Sequence, residues 1–519
     1  MTVGLALGVV FGVQNSSRVG DTLDWENNNS IASGSSIADW SSTEIQSYDE
    51  KYILKDGEYS DATTKKAVWL NKVLASSNIG KKVLVTMGED WVASTAAGGF
   101  LDSTSQPCLS IGAGYDITFD LAGHKLDRNA VNANAVGLAD ARHFNLNGGC
   151  SLTINDTVGG GKIINSWAVQ GSGSIHINDG SKLTINGGEF SNNHTRDGFG
   201  NVIVLRGECI MNGGVIKNNT TIDRCAWGGA VGIGQYTKNG STIGGTFTMN
   251  GGEISNNVGI CGAVVIGNLS SGTNAEKGTF IMNGGVIKEN KTEFSSSSNN
   301  SSIDSEVSFG YWVGGGVALL NKNSSFTMNG GTITGNTAAC KGGGVRVSEG
   351  TFTMNGGTIS NNQSGVKKDG SASGHNNACG GGLNITGSDS KFIMNGGEIN
   401  ENKSKTFAGG MYCGGNAKIT LNSGRITGNE SQGAGSSGGG IYLDDCGNNV
   451  TIKNITVTGN KLPNSPNAIG AGILHNSGTT VSLAGALICK NNRNGTGATN
   501  YGIPYTLGAP SGSTPGTNA

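Results

Sequence analysis

Two tyrosines, Tyr412 and Tyr442, stand at the same place in consecutive copies of a Gly-rich phrase, and Asp444 and Asp445 follow the second of them. Phenol rings in a row can hold a sugar ring, and converging carboxylates are what acid–base cleavage of a glycosidic bond requires. In neighbouring copies the same place is taken by Arg346, Asn384 and Leu474, so a cation and an amide extend the row. A polysaccharide enzyme would draw its catalytic groups from Asp444, Asp445 and Arg346. A binding surface would rely on Tyr412, Tyr442 and Asn384. The plainest reading is a solvated strand face with scattered polar residues.

Between the copies, variable stretches carry Trp227, Phe294, Phe309, Tyr311, Trp312 and His375. Aromatic side chains on loops over a rigid scaffold suit recognition; the simpler expectation is that these loops fold back over the scaffold. His124, with Asp120 and Asp127 nearby, has the residue types of a metal or acid–base site, a turn-stabilising histidine being the simpler reading. The ten cysteines include no Cys-x-x-Cys pair, so zinc spacing is missing and neither a metal nor a cofactor is expected.

What must position these groups is a repeat. Phe326-Thr-Met-Asn-Gly-Gly-Thr-Ile-Thr-Gly-Asn336 recurs over Phe352–Asn362, Phe247–Asn257, Phe280–Asn290 and Phe392–Asn402, with weaker copies at Leu183–Asn193, Cys209–Asn219 and Ile419–Asn429. The first Asn of each phrase (186, 212, 250, 283, 329, 355, 395, 422) recurs at spacings from 26 to 46. One turn of three short strands around a triangular section, at about 3.3 Å per residue, matches the shortest spacing, and corner insertions account for the rest. The pattern predicts an all-β, single-chain, right-handed parallel β-helix of about nine or ten coils.

Period-two alternation points Phe352 and Met354 inward with Thr353 outward, and Val345 and Val347 inward with Arg346 outward. Stacked coils then align Phe247, Phe280, Phe326, Phe352 and Phe392 in one internal column. Methionines from Met211 to Met394 form a second, and isoleucines from Ile216 to Ile426 a third. Asn pairs seven apart, such as Asn355 and Asn362, should form hydrogen-bonded ladders at coil corners, where Asn also tolerates left-handed backbone. All six prolines avoid the stretch between Cys108 and Leu462, where coil-to-coil bonding needs every N–H.

Gly 90 in 519 residues is too much for a globular core but suits tight coil corners. Charged residues make up 14% and the net charge is -2 without a basic stripe, which excludes nucleic acid as a natural partner. Thr2–Val13 is an apolar run of signal-peptide length, too short for a bilayer span. The expected organisation is an export-signal remnant over 1–14, a loosely ordered polar segment over 15–60, and a cap over 61–110 whose helix covers Asp61–Ser76. The β-helix follows over 111–492 and a Gly/Pro/Ser/Thr-rich linker over 493–519. Cys225 with Cys261, and Cys340 with Cys379, fall within disulfide reach on adjacent coils; buried free thiols are the simpler alternative.

Phe190-Ser-Asn-Asn193, alternating with Gly-Gly-Ala/Gly-Val, resembles the repeats of polymorphic outer-membrane adhesins. Ile117-Thr-Phe-Asp-Leu-Ala-Gly-His-Lys-Leu126 is similar to the opening coil of secreted bacterial proteins with pectate-lyase-like right-handed β-helices. The resemblance spans about Ile111–Asn492. It implies surface exposure and adhesion; with the repeat and the low charge, the expectation is an extracellular or cell-surface, monomeric module for adhesion or display, binding a polysaccharide or a host surface without catalysis. The alternative it carries is a polysaccharide lyase or glycoside hydrolase. The paired Asp, His-Gly and Arg-x-Lys pattern of polygalacturonase-like hydrolases has no counterpart in the sequence, nor has the acidic cluster of a calcium-dependent lyase.

Overall fold

The alternation of the repeat phrase is realised residue by residue. In Thr246–Met249 and Thr279–Met282 the Phe and Met are fully buried and the residues between them half-buried. β-branched and aromatic residues suit a pleated surface with one wet face, so the phrase forms a strand. The Asn-Gly-Gly that follows turns the chain. Its second glycine is left-handed, for example Gly357 at φ 82, and a Cβ there would lie 2.6 Å from the Met328 methyl of the preceding coil. That glycine is therefore required by both conformation and space.

One coil can be followed through Val345–Met354, Thr358–Ser360 and the two-residue strand Gln363–Ser364 before the next begins at Leu383–Thr386. The computed structural model describes residues 46–54, 72–93, 108–130, 140–200, 202–221, 229–234, 244–267, 277–292, 314–366, 370, 372, 378–433, 436–463, 470–476 and 478–494. All lie in one unit, Ile37–Ala519.

Equivalent strands stack into files. Three files, named here for their Gly-rich, Phe–Met and Ile sequences, form a 35-stranded sheet, and the short corner strands form a 12-stranded one. The chain is a parallel β-helix; parallel crossovers of this kind favour the right-handed sense. Among the corner strands, Trp167–Ser172 pairs antiparallel with Asp140–Ala141 while the others run parallel.

Register places like on like. Phe280 pairs with Phe247 and Phe326, and Phe352 with Phe326 and Phe392. The five rings stack with centroids 5.2, 4.8, 4.6 and 5.1 Å apart. Met211, Met249, Met282, Met328, Met354 and Met394 form the second file and Ile216 to Ile426 the third, all at 0% exposure in one continuous core.

Both Asn columns are ladders. At the inner corner, Asn362 donates Nδ2 to Ile333 O (2.9 Å) and to Asn402 Oδ1 (3.0 Å), and its own Oδ1 receives the backbone N–H and Nδ2 of Asn336. The same bonds repeat from Asn193 to Asn492, so the side-chain amides of this buried ladder are satisfied. The outer column, Asn186 to Asn422, carries one amide-to-amide bond per step and is mostly exposed. The left-handed backbone expected of the inner asparagines falls instead on the residue before each, as at Asn218, Asn256 and Asn361, and even at Glu289 and Glu401.

Several expectations change. The corner file alone has twelve strands among the described residues, so the stack exceeds nine or ten coils. It also begins earlier than 111. Glu50–Leu54, inside the segment expected to be loosely ordered, pairs in parallel with Lys82–Met87, which pairs in turn with Asp116–Asp120. Of the helix expected over Asp61–Ser76, residues 61–71 lie outside the described part, as do Thr2–Val13 and residues 495–519. The complete helical element described is a 3-10 turn, Ser76–Asn78. Cys261, Cys340 and Cys379 are buried free thiols, and Cys225 lies outside the described residues. No described helix is long and apolar enough to cross a membrane.

Candidate functional site

The Gly-rich file positions the candidate row as the alternation requires. Arg346 pairs with Asn384, Asn384 with Tyr412, Tyr412 with Tyr442, and Tyr442 with Leu474. The surroundings differ from a solvated strand face. Arg346 is 3% exposed, Asn384 0% and Leu474 4%. Further along the same outward row, Val265 and Ala318 pack with Ile260, Cys261 and Leu320 in a second small apolar cluster.

The segments that precede the Gly-rich strands cover this face. Left-handed Gly342, Gly380, Gly438 and Gly470 open the phrase in four coils. A Cβ on each would lie within 2.6 Å of the strand it precedes: at Val345 O, Leu383 O, Ile441 O and the Leu474 Cβ respectively. The chain therefore doubles back tightly against its own outward side chains. In the Tyr412 coil this position is Ala408, forced to φ 54.

Covered in this way, Arg346 serves the scaffold. Its guanidinium donates to Val347 O (3.0 Å), Asn384 Oδ1 (2.5 Å) and Thr386 Oγ1 (2.7 Å). Burial lowers its pKa to about 10, which still leaves it protonated at neutral pH. Asn384 completes its bonding by donating to Cys379 O and Sγ at 3.2 and 3.0 Å. Neither residue can serve a ligand without dismantling this network.

The row opens at the tyrosines. Tyr412 and Tyr442 are half-buried, with ring centroids 5.5 Å apart and planes at 83°. They meet edge to face rather than as the flat strip expected from sequence. A third ring, Phe407, lies 5.7 Å from Tyr442. The Tyr412 hydroxyl donates to Asp444 Oδ2 at 2.6 Å, and Asn476 Nδ2 donates to Asp444 Oδ1. Gly414 makes this geometry fit, since a Cβ there would stand 2.8 Å from Asp444 O and 3.3 Å from the Tyr412 ring. Burial, foremost, and the Asp444 carboxylate raise both phenol pKa values, so the rings stay neutral.

Asp445 is exposed, at φ 56, with its N–H donating to Asn476 Oδ1 at 3.0 Å. The corner is thus three aromatic rings, one half-buried carboxylate held at both oxygens, and one exposed carboxylate. Asn476 went unnoticed in the sequence, although it occupies the place of Asp444 one coil on; Phe407 sits in the covering segment, whose path no strand pattern reveals.

Trp227, Tyr311, Trp312 and His375, with Phe294 and Phe309, lie outside the described residues. His124 does not join Asp120 and Asp127: its Nδ1 is 3.5 Å from Asp90. Asp120 accepts from Ala122 N, Thr157 N and Thr157 Oγ1, and Asp127 from Asn129 N and Asn165 Nδ2. These are turn-holding bonds. Among the described residues no three His, Cys, Asp or Glu side chains are placed to share a metal ion.

Fold and site together define the class: a parallel β-helix with an acidic, aromatic corner on the outer face of its Gly-rich file. No known protein family, curated protein or solved structure matches the chain.

Proposed function

We propose that this protein is a secreted or cell-surface β-helix of pectate-lyase-like type, acting in adhesion or display, and that it binds glycans at the Tyr412–Tyr442 corner without cleaving them. One observation carries the reading: half-buried Tyr412, Tyr442 and Phe407 cluster beside Asp444 where the otherwise covered outward row reaches solvent. Aromatic faces beside a hydrogen-bond acceptor are what a sugar ring's apolar face and hydroxyls need. Both Asp444 oxygens already accept hydrogen bonds from Tyr412 and Asn476, which suits a fixed acceptor better than a base that must take up a proton. Arg346, the cation a cleavage mechanism would need, is buried among its neighbours.

The test is a glycan array read together with reducing-sugar and unsaturated-product assays. Binding without product, lost in Tyr442→Ala, is the expected result. Turnover abolished by Asp444→Ala would replace this reading with that of a polysaccharide lyase or hydrolase.

A further inference from the structure

We infer that the glycan taken at this corner carries free amino groups: an amino-sugar polymer whose ammonium sits against Asp444 beside the Tyr442 ring. The inference rests on the glycan-binding reading and names its ligand class. Neither Asp444 nor Asp445 forms an ion pair among the described residues, and the nearest guanidinium in the row, that of Arg346, is buried and held by Asn384 and Thr386. The exposed charge of the site is therefore negative.

A uronate or sulfated sugar would bring like charge to two carboxylates and be repelled. A neutral sugar would leave them without a counter-charge. An ammonium meets both features of the corner at once, since it pairs with a carboxylate and is attracted to an aromatic face. The Tyr442 hydroxyl has no hydrogen-bond partner among the described residues, which leaves it for a ring hydroxyl of the same sugar. A basic peptide would meet the charge but offers no ring to lie against the phenols, so the sugar is favoured.

Immobilised full-length protein is presented with four oligosaccharides of equal length: glucosamine, N-acetylglucosamine, glucose and galacturonic acid oligomers, with oligolysine as a fifth probe. The glucosamine oligomer is expected to bind tightest, to weaken with added salt, and to lose about tenfold in affinity in Asp444→Asn. Asp445→Asn, at an exposed position, should weaken it a few-fold with unfolding unchanged. Glucose-oligomer affinity should be the same in wild type and in Asp445→Asn. If neutral and N-acetylated oligomers bind as tightly as the free amine, and the Asn variants change nothing, this inference fails while the glycan reading stands. Equal capture of oligolysine also overturns it. If no oligosaccharide binds the wild type, the glycan reading itself falls, and this inference with it.

Discussion

At the scale of single residues, backbone conformation and shared space decide more than residue type. Four of the Gly-rich phrases open with a left-handed glycine, and that of the Tyr412 coil opens with Ala408 at φ 54. An L-residue there costs about 1 kcal/mol, so Ala408→Gly should raise stability by up to about that amount in urea melts, less the entropy a glycine returns to the unfolded chain. Gly414 shows the converse. Gly414→Ala should displace the Tyr412 ring or the Asp444 backbone, weaken glycan binding several-fold and lower stability by about 1–3 kcal/mol, read from array affinity and the melting curve together. Tyr412 and Tyr442 could be marked from sequence because they share one repeat position, and Asp444 because it stands two residues further along the same strand. Their edge-to-face packing could not, because ring orientation depends on how Phe407 and Gly414 of the Tyr412 coil meet Tyr442 and Asp444 of the next one.

Among the elements, the two Asn ladders look alike in sequence and differ in energy. Asn362 is fully buried, and its loss would strand the backbone N–H and Nδ2 of Asn336 together with Ile333 O. Asn362→Ala should therefore cost about 2–4 kcal/mol. Asn355 stands on the exposed ladder, where water replaces its single amide bonds on either side, and Asn355→Ala should cost less than about 1 kcal/mol. Denaturant melts of the two variants give the comparison directly; equal losses would contradict the assignment of the inner ladder as the buried one. Seven-residue spacing announced both columns, but which one faces the core followed from the path of the Asn-Gly-Gly turn.

Over the whole molecule, stability is shared along the stack. Phe352 lies between Phe326 and Phe392 at 4.6 and 5.1 Å, so Phe352→Ala removes two ring contacts and leaves a cavity, at about 3–5 kcal/mol. A pH dependence comes from His143, fully buried, which burial, assisted by Arg128, drives from the ordinary 6.5 to about 3. A histidine kept neutral by folding contributes its full share above pH 6.5. That share is lost as the pH falls toward 3, because the unfolded chain takes up the proton first. The loss should be on the order of a few kcal/mol, and His143→Gln should flatten this part of the stability profile relative to wild type.

Repetition at a floor of 26 residues, with alternation inside each phrase, was enough to specify a parallel β-helix, its three internal columns and its Asn ladders. Stacking identical units forces equivalent side chains into register, so these features are local patterns copied upward. The burial of Arg346 and Asn384, and the short exposed corner left at Tyr412, Tyr442 and Asp444, were decided only when the segments before each Gly-rich strand doubled back over it. That return depends on left-handed backbone at single positions and on contacts between neighbouring turns. Periodicity reports which side of a strand a residue takes, and is silent about what then lies across that side.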